Sequence, residues 1–423
     1  MKILVVGSGG REHSIIMKLA QSCKVSKLYS APGNAGISKF AECLPVKATD
    51  IEGMVRLSKK MEVDMVVVAP DDPLVMGMVD ALNDAGIATF GPNRAAAAIE
   101  GSKVFSKKLM KDYSIPTAGY EVFYEAEKAI SYIKDKSVYP AVIKADGLAL
   151  GKGVVIANNF DEAKEAVIAM IDDKIFGESG SRIIIEEFLT GPEVSVLSFC
   201  DGKTVVPMVS SMDHKRAYDN DEGLNTGGMG TIAPNPCYTK KIASECMETI
   251  FKPTLKAMES EGRPFMGCLY FGLMLTSDGP KVIEYNCRFG DPETQVVLPL
   301  LETDLVDIFE AIWEEKLSEL DIKWKNQAAA CVVMASGGYP KKYQTGIEIK
   351  GLYEDGQLGG EAMIFHAGTK LENDKIVTAG GRVIGVTATG ESLKAALDKS
   401  YAAVKKIHFD NAHFRTDIGK KVL

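Results

Sequence analysis

Short apolar runs rich in β-branched residues recur through the first hundred positions, with helical spacing between them. Residues 3–6 (ILVV) form one such run, followed by a glycine loop and a helix predicted from about 12 to 20. Residues 65–69 (MVVVA) form a second, and residues 85–90 lead into another. Runs of this kind separated by helices predict a parallel α/β sheet with both faces buried. Further on, residues 138–144 (VYPAVIK) read as a strand entering a glycine-rich loop, and residues 154–157 as the strand leaving it. A helix at 160–170 and a strand at 182–187 complete a small inserted module. Residues 194–199, 204–210 and 269–286 are strand-rich, with helices around 240–260 and 292–316. At 328 the run AAACVVMAS opens a last strand-rich region, which ends in a helix at 391–406. The pattern predicts an α/β and α+β multidomain chain. A doubly wound parallel domain occupies 1–103, a central domain 104–327 carries the insert at about 121–187, and a small strand-rich domain fills 328–423.

Composition narrows the function classes. The chain has 423 residues, of which 46% are hydrophobic, enough for two to four domains with real cores. The net charge of −8 argues against a nucleic-acid binder, which carries a basic face. It leaves room for small anionic substrates, since a local cluster of donors outweighs a distant net charge. The eight Cys are scattered without a C-x-x-C pair, as in a protein of the reducing cytoplasm. The apolar run at the N-terminus is too short for a signal-peptide core. No stretch approaches the roughly 18 apolar residues of a membrane span. A cytoplasmic protein with no membrane partner is expected.

Four blocks carry candidate chemistry. The first is Gly7-Ser8-Gly9-Gly10-Arg11-Glu12-His13, between a strand and a helix. Backbone N–H groups at such a helix start can cradle a phosphate. A dinucleotide fingerprint fails here, because Glu12 replaces its third glycine and the second strand (Tyr29-Ser30-Ala31-Pro32) ends without an acid. A phosphate-bearing substrate remains, beside a plain tight turn. The second block runs from Lys144 through Asp146, Gly147, Gly151 and Lys152 to Gly153. It lacks the first glycine and the hydroxyl of a P-loop. Its glycines allow close approach to phosphate, its lysines neutralise charge, and a strand–strand loop can close as a lid. An ordinary flexible hairpin fits the same residues.

The third block is Glu186-Glu187-Phe188-Leu189-Thr190-Gly191-Pro192-Glu193. Backbone leaving the strand can read an adenine edge, and Glu193 can accept from ribose hydroxyls, although acids at strand ends are commonly just solvated. The fourth is Lys281-Val282-Ile283-Glu284-Tyr285-Asn286-Cys287-Arg288. Strand alternation puts Glu284, Asn286 and Arg288 on one face and Ile283, Tyr285 and Cys287 on the other. A carboxylate and an amide oxygen suit Mg²⁺ on phosphates, and the arginine fork suits a phosphate or carboxylate. A helix is predicted next, with Asp291 as N-cap and Pro292 at N1. Asp213-His214-Lys215-Arg216 and Asn225-Thr226-Gly227-Gly228-Met229-Gly230 add cations and a glycine loop for an anionic substrate. His214 alone reads as structural, and the pair His408 and His413 as incidental.

Together these blocks resemble the phosphoribosylamine–glycine ligase (glycinamide ribonucleotide synthetase) family of purine biosynthesis over essentially the whole chain. The carriers are GSGGREH, PGNAG, GPN, EGSK, IKADGLALGKGVV, IEEFLTGPE, DHKR, NTGGMG, EYNCRFGDPETQ, FHAGT and GGRV. The resemblance implies an ATP-grasp fold, with ATP between the lid and the central domain. It implies Lys103 and Lys144 on phosphates, Gly151 and Gly153 in the lid, Glu186, Glu187 and the Phe188 backbone at adenine, and Glu193 at ribose. Glu284 and Asn286 would ligate Mg²⁺ or Mn²⁺, and Arg288, Lys215 and Asp213 would serve catalysis. Gly9, Gly10, Arg11, Asn34 and Asp71 would bind 5-phosphoribosylamine, with Asp213, Lys215 and Arg288 also facing substrate. A monomer is expected. Two positions depart from the family. Asp71 stands where it usually has glutamate, one methylene longer. The strand before Glu284 reads Gly272-Leu273-Met274-Leu275, with no second metal carboxylate.

Overall fold

The first layer of the computed structural model, which describes residues 1–148 and 153–423, is a five-stranded parallel sheet. Its order is Glu42–Cys43, Lys27–Pro32, Lys2–Gly7, Met65–Val68, Ala88–Phe90. Alternation within two short runs builds both faces. Leu4, Val6, Val66 and Val68 pack with Met54 and Leu82, whereas Ile3, Val5, Met65 and Val67 pack with Ile15, Ile16 and Leu19. Each such side chain contributes about 1.5–3 kcal/mol when fully buried. The chain builds outward from Lys2–Gly7 and then returns to its other side, so the strand order reverses there. Loops 7–11 and 69–72 therefore meet outside the carboxyl edge, where open α/β sheets bind ligands.

The inserted module is a four-stranded antiparallel sheet, ordered Tyr120–Phe123, Ile183–Glu187, Ala141–Ala145, Val154–Ala157. Helices Ala126–Lys136 and Phe160–Ile171 give it a core of its own, including Ile133, Ile143, Val167 and Ile183. The central sheet runs Val205–Pro207, Glu193–Asp201, Met266–Thr276, Gly279–Asn286, all antiparallel. A fourth sheet orders Met212–Asp213, Gly230–Ala233, Ala328–Ala335, Arg382–Gly390 and Met363–His366. Strands from either side of residue 328 thus share one sheet. Among the described residues no helix is long and apolar enough to cross a membrane.

Two local expectations are corrected. The pairing of Met266–Thr276 with Gly279–Asn286 slips between Gly272 and Leu273, which face Glu284 and Val282. Ile283 is the extra residue, so Val282, Tyr285 and Cys287 form the buried face while Ile283 is only half-buried. The following helix starts at Thr294 with Glu293 as N-cap, two residues late. The Asp291 carboxylate is instead engaged by the side chains of Gln295 and Arg382.

Buried histidines join distant segments. The His366 N–H donates to His13 Nδ1 at 2.8 Å, and Asn34 Nδ2 donates to the carbonyls of Ser8 at 2.8 Å and His366 at 2.7 Å. His214 Nδ1 bonds the Gly230 carbonyl at 3.2 Å, and the Gly419 N–H donates to its Nε2 at 3.0 Å. Its structural role is as expected. Burial lowers His214 and His366 to about 4, and burial with the neighbouring His366 holds His13 well below 6.5. Unfolded histidines take up protons near 6.5, whereas these resist until about 4. Their contribution is therefore complete above about 6.5 and declines as pH falls toward 4, on the order of 1–2 kcal/mol each by pH 5. Urea unfolding at pH 7 and pH 5 should show a smaller acid loss for His214→Gln than for the parent chain. Equal losses would rule out neutral burial of His214.

Candidate active site

The polar cluster assembles where the carboxyl edge of the first sheet, the inserted module and the Gly279–Asn286 strand face one another. Arg11 donates to the Phe289 carbonyl at 3.1 Å, and Lys144 Nζ to the Ile283 carbonyl at 3.2 Å, tying the three together. Glu284 lies at the centre. Opposite it stands Gly272, where a Cβ would come within 3.0 Å of Glu284 Cγ, so the bare glycine leaves the carboxylate room. Lys215 Nζ is 3.5 Å from Glu284 Oε1 and 3.4 Å from Glu193 Oε2. Lys215 first, then Lys144, Lys103 and Arg288, outweigh burial and hold Glu284 at about 2. Glu193 and Glu284 in turn raise Lys215 well above the usual lysine range.

Two buried lysines converge on one acid. Glu186 Oε2 accepts from Lys144 at 3.0 Å and from Lys107 at 3.1 Å, and all three side chains are buried. Its Oε1 has no partner among the described residues. Lys107 also donates to Thr117 Oγ1 at 2.8 Å, and burial, against the pull of Glu186, lowers it to about 8. The sequence reading missed Lys107. A signal existed, since Lys103 and Lys107 are four apart and share one face of helix Lys103–Asp112. Lys103 Nζ donates to the Gly147 carbonyl at 2.9 Å. Glu187 is exposed and 3.4 Å from Lys281, and Phe188 follows it, also exposed. The Ala145 N–H donates to the Gly153 carbonyl at 2.8 Å, while Gly151 and Lys152 lie outside the described residues.

Arg288 pairs with a different acid from Lys215. Its NH2 group donates to Glu100 Oε1 at 2.9 Å and to Asn286 Oδ1 at 3.0 Å, and lies 4.0 Å from Asp71 Oδ2. Glu100 Oε2 also accepts from the Cys287 N–H at 2.7 Å. Burial raises the Asp71 carboxyl, but Arg288 and Arg11 win and hold it below the usual range. Burial, then Glu293, pushes Asp213 well above it, against Lys215 and Arg382. Glu293 is itself buried, accepting from Tyr270 Oη at 3.2 Å and Ser195 Oγ at 3.4 Å. Glu100 and Glu293 were missed because a lone acid after an alanine-rich helical run and an acid in the polar turn GDPETQ each read as solvated.

At the first loop the Gly9 N–H donates to Glu12 Oε2 at 2.6 Å, and Arg11 Nε pairs with Glu12 Oε1 at 2.7 Å. Glu12, which breaks the dinucleotide fingerprint, caps the helix. The Asn34 side chain is committed to protein backbone, since its Oδ1 also accepts from Gly36 and Ile37, each at 2.9 Å. His413 Nε2 bonds the Ala217 carbonyl at 2.7 Å. Among the described residues no cluster of three His, Cys, Asp or Glu could hold a cation unaided. Glu284 and Asn286 supply an ionised carboxylate and an amide oxygen, which fit a divalent cation whose other ligands are phosphate oxygens. The surrounding lysines favour those same phosphates.

Family models match nearly the whole chain. The phosphoribosylglycinamide synthetase N domain matches residues 1–100, the ATP-grasp (A) domain 101–294 and the C domain 329–421. A phosphoribosylamine–glycine ligase of Caldanaerobacter subterraneus subsp. tengcongensis is 49% identical over 418 residues, covering 99% of each chain. The crystal structure of a phosphoribosylamine–glycine ligase from Thermotoga maritima is 33% identical with a TM-score of 0.86, covering 99% of this chain and 100% of that one. The biotin carboxylase domain of Hydrogenobacter thermophilus 2-oxoglutarate carboxylase has a TM-score of 0.75 at 16% identity, covering 98% and 91%, a likeness of fold alone. With its three domain models spanning residues 1–421, the chain belongs to the phosphoribosylglycinamide synthetase family.

Proposed function

We propose that this chain joins glycine to 5-phosphoribosylamine, driven by ATP, to give glycinamide ribonucleotide, ADP and phosphate. The observation that carries it is Glu284, paired with Lys215 at 3.5 Å on the same strand as Asn286, with Lys144, Lys103 and Arg288 adding to the positive field around it, in a chain of this family. A glycine carboxylate is a poor electrophile. One of its oxygens attacks the γ-phosphorus of ATP, the bond to the bridging oxygen breaks, and ADP leaves glycyl phosphate behind. The phosphoribosylamine nitrogen then attacks the carbonyl carbon, phosphate departs, and the nitrogen gives up a proton. No protein nucleophile is required, so catalysis rests on positioning and on stabilising developing negative charge.

In this reading Lys103 and Lys144 neutralise phosphates, while Gly151 and Gly153 belong to a lid that excludes water. Glu186, with its unpartnered Oε1, and the backbone at Glu187 and Phe188 receive adenine, and Glu193 receives ribose. Lys215 and Arg288 steady the transferring phosphoryl group and the glycine carboxylate, beside Asp213. Gly9, Gly10, Arg11 and Asp71 hold phosphoribosylamine, and Asn34 holds their loop. Glu284 and Asn286 hold Mg²⁺ or Mn²⁺, which supplies Lewis-acid charge to the phosphates when bound. The chain works as a monomer in the cytoplasm.

ADP release should require glycine and phosphoribosylamine together, with glycinamide ribonucleotide identified by mass spectrometry. Release driven instead by bicarbonate or formate would assign the chain to another ATP-dependent reaction.

A further inference from the structure

The C-terminal region reaches the cluster through Arg382, the first residue of strand Arg382–Gly390. Its guanidinium donates to the Asp291 carbonyl at 2.6 Å and to Asp291 Oδ2 at 3.0 Å. NH1 also donates to the carbonyls of Gly227, at 2.5 Å, and Gly228, at 3.4 Å. Tyr339, from the same region, accepts from the Gly227 N–H at 3.2 Å, so Gly227 is held through both its N–H and its carbonyl. The contacts demand glycine. A Cβ at Gly227 would lie 2.8 Å from Arg382 Cζ, and one at Gly228 2.4 Å from Pro292 Cδ and 2.6 Å from Asp213 Oδ1. The Asp291 carboxylate also abuts the first loop, where a Cβ at Gly9 or at Gly10 would lie 3.5 Å from one of its oxygens. Arg382 thus joins the 227–228 loop to Asp291, which backs the Gly9–Gly10 turn. None of its hydrogen bonds goes to Lys103, Lys107, Lys144 or Glu186.

We propose that Arg382 is a positioning residue for the amine-bearing substrate, a planar fork supplied by the C-terminal region that fixes two substrate loops at once. It acts through those loops and leaves the nucleotide end alone. The inference rests on the proposed function for the identity of that substrate. Lysine cannot replace the fork, because Nη1 bridges the Gly227 and Asp291 carbonyls while Nη2 holds the Asp291 carboxylate, and a single ammonium lacks that second, coplanar donor.

The test measures Michaelis constants for each substrate in Arg382→Lys and Arg382→Ala, beside the parent enzyme and with thermal unfolding as a control. A displaced loop should raise KM for phosphoribosylamine about 10–100-fold. KM for ATP should stay within about twofold, and added guanidinium ion should restore part of the loss in Arg382→Ala. A parallel rise in both constants, no rise in either, or loss of the folded state in both variants would overturn the proposal. Failure of the parent enzyme to use phosphoribosylamine at all would instead overturn the proposed function.

Discussion

Glu284→Gln should lower kcat about 10²–10³-fold and raise the metal concentration needed for half-maximal activity about tenfold or more. Glutamine has the same shape and keeps one carbonyl oxygen. What disappears is the charge. Lys215 stands 3.5 Å from Glu284, and Lys144, Lys103 and Arg288 add to its field, holding the acid at about 2. The carboxylate is therefore fully ionised at any working pH and offers its whole charge to a divalent cation. Without it, Lys215 keeps only Glu193 as a close counter-ion, and the positive field of Lys144, Lys103 and Arg288 at this point goes unopposed.

The same electrostatics makes a second, opposite forecast that separates a metal ligand from a mere structural acid. A ring of cations freed of its anion should bind nucleotide without metal as well as before, or better. Isothermal titration with ATP in chelator and in Mg²⁺ would read both directions. If the variant keeps more than about a tenth of its turnover with an unchanged metal requirement, Glu284 does not hold the cation. A uniform loss of binding in both titrations would mark it as an acid that only organises Lys215.

Much of this site was legible from local pattern, and what was not has identifiable causes. The runs ILVV and MVVV announce buried parallel strands because apolar residues on both faces have no other stable placement. Strand alternation placed Glu284 and Asn286 together, yet it misplaced Ile283, since a one-residue slip opposite Gly272 leaves no mark on one strand's own sequence. Lys107 and Lys108 look alike in the string SKKLMK, but one is buried against Glu186 and the other is exposed. Only the helix phase set by Lys103 distinguishes them. The Asn34 amide, assigned to substrate by the family resemblance, is held by four backbone groups, two of them from residues distant in sequence, so local pattern does not show that setting. Arg382 lies 91 positions from its partner Asp291, and no local rule connects such residues.

Arg288→Met should cost about 3–5 kcal/mol of stability, and Arg288→Met with Glu100→Met should recover most of it. Glu100 is 7% exposed and Arg288 17%, and their 2.9 Å contact lies between the first layer and the end of the central sheet. Removing the arginine alone strands a buried acid. Burial already raises the Glu100 carboxyl, and Arg288 is the first group that opposes this. In the single variant it rises further, so the folded state keeps a proton that the unfolded chain releases. Stability must then fall as pH rises, and the penalty of Arg288→Met should be larger at pH 8 than at pH 5. Removing both charges leaves neither an orphaned acid nor that pH dependence. Urea midpoints and slopes for the four members of the cycle measure the coupling directly. A single-variant loss below about 1 kcal/mol would show that the pair is solvated and mechanically unimportant. Turnover should stay low in the double variant even where stability returns, because Asn286 Oδ1 and Asp71 have then lost the guanidinium beside them. A chain that is stable again but still inactive would separate the part of Arg288 that holds the layers together from the part that serves the reaction.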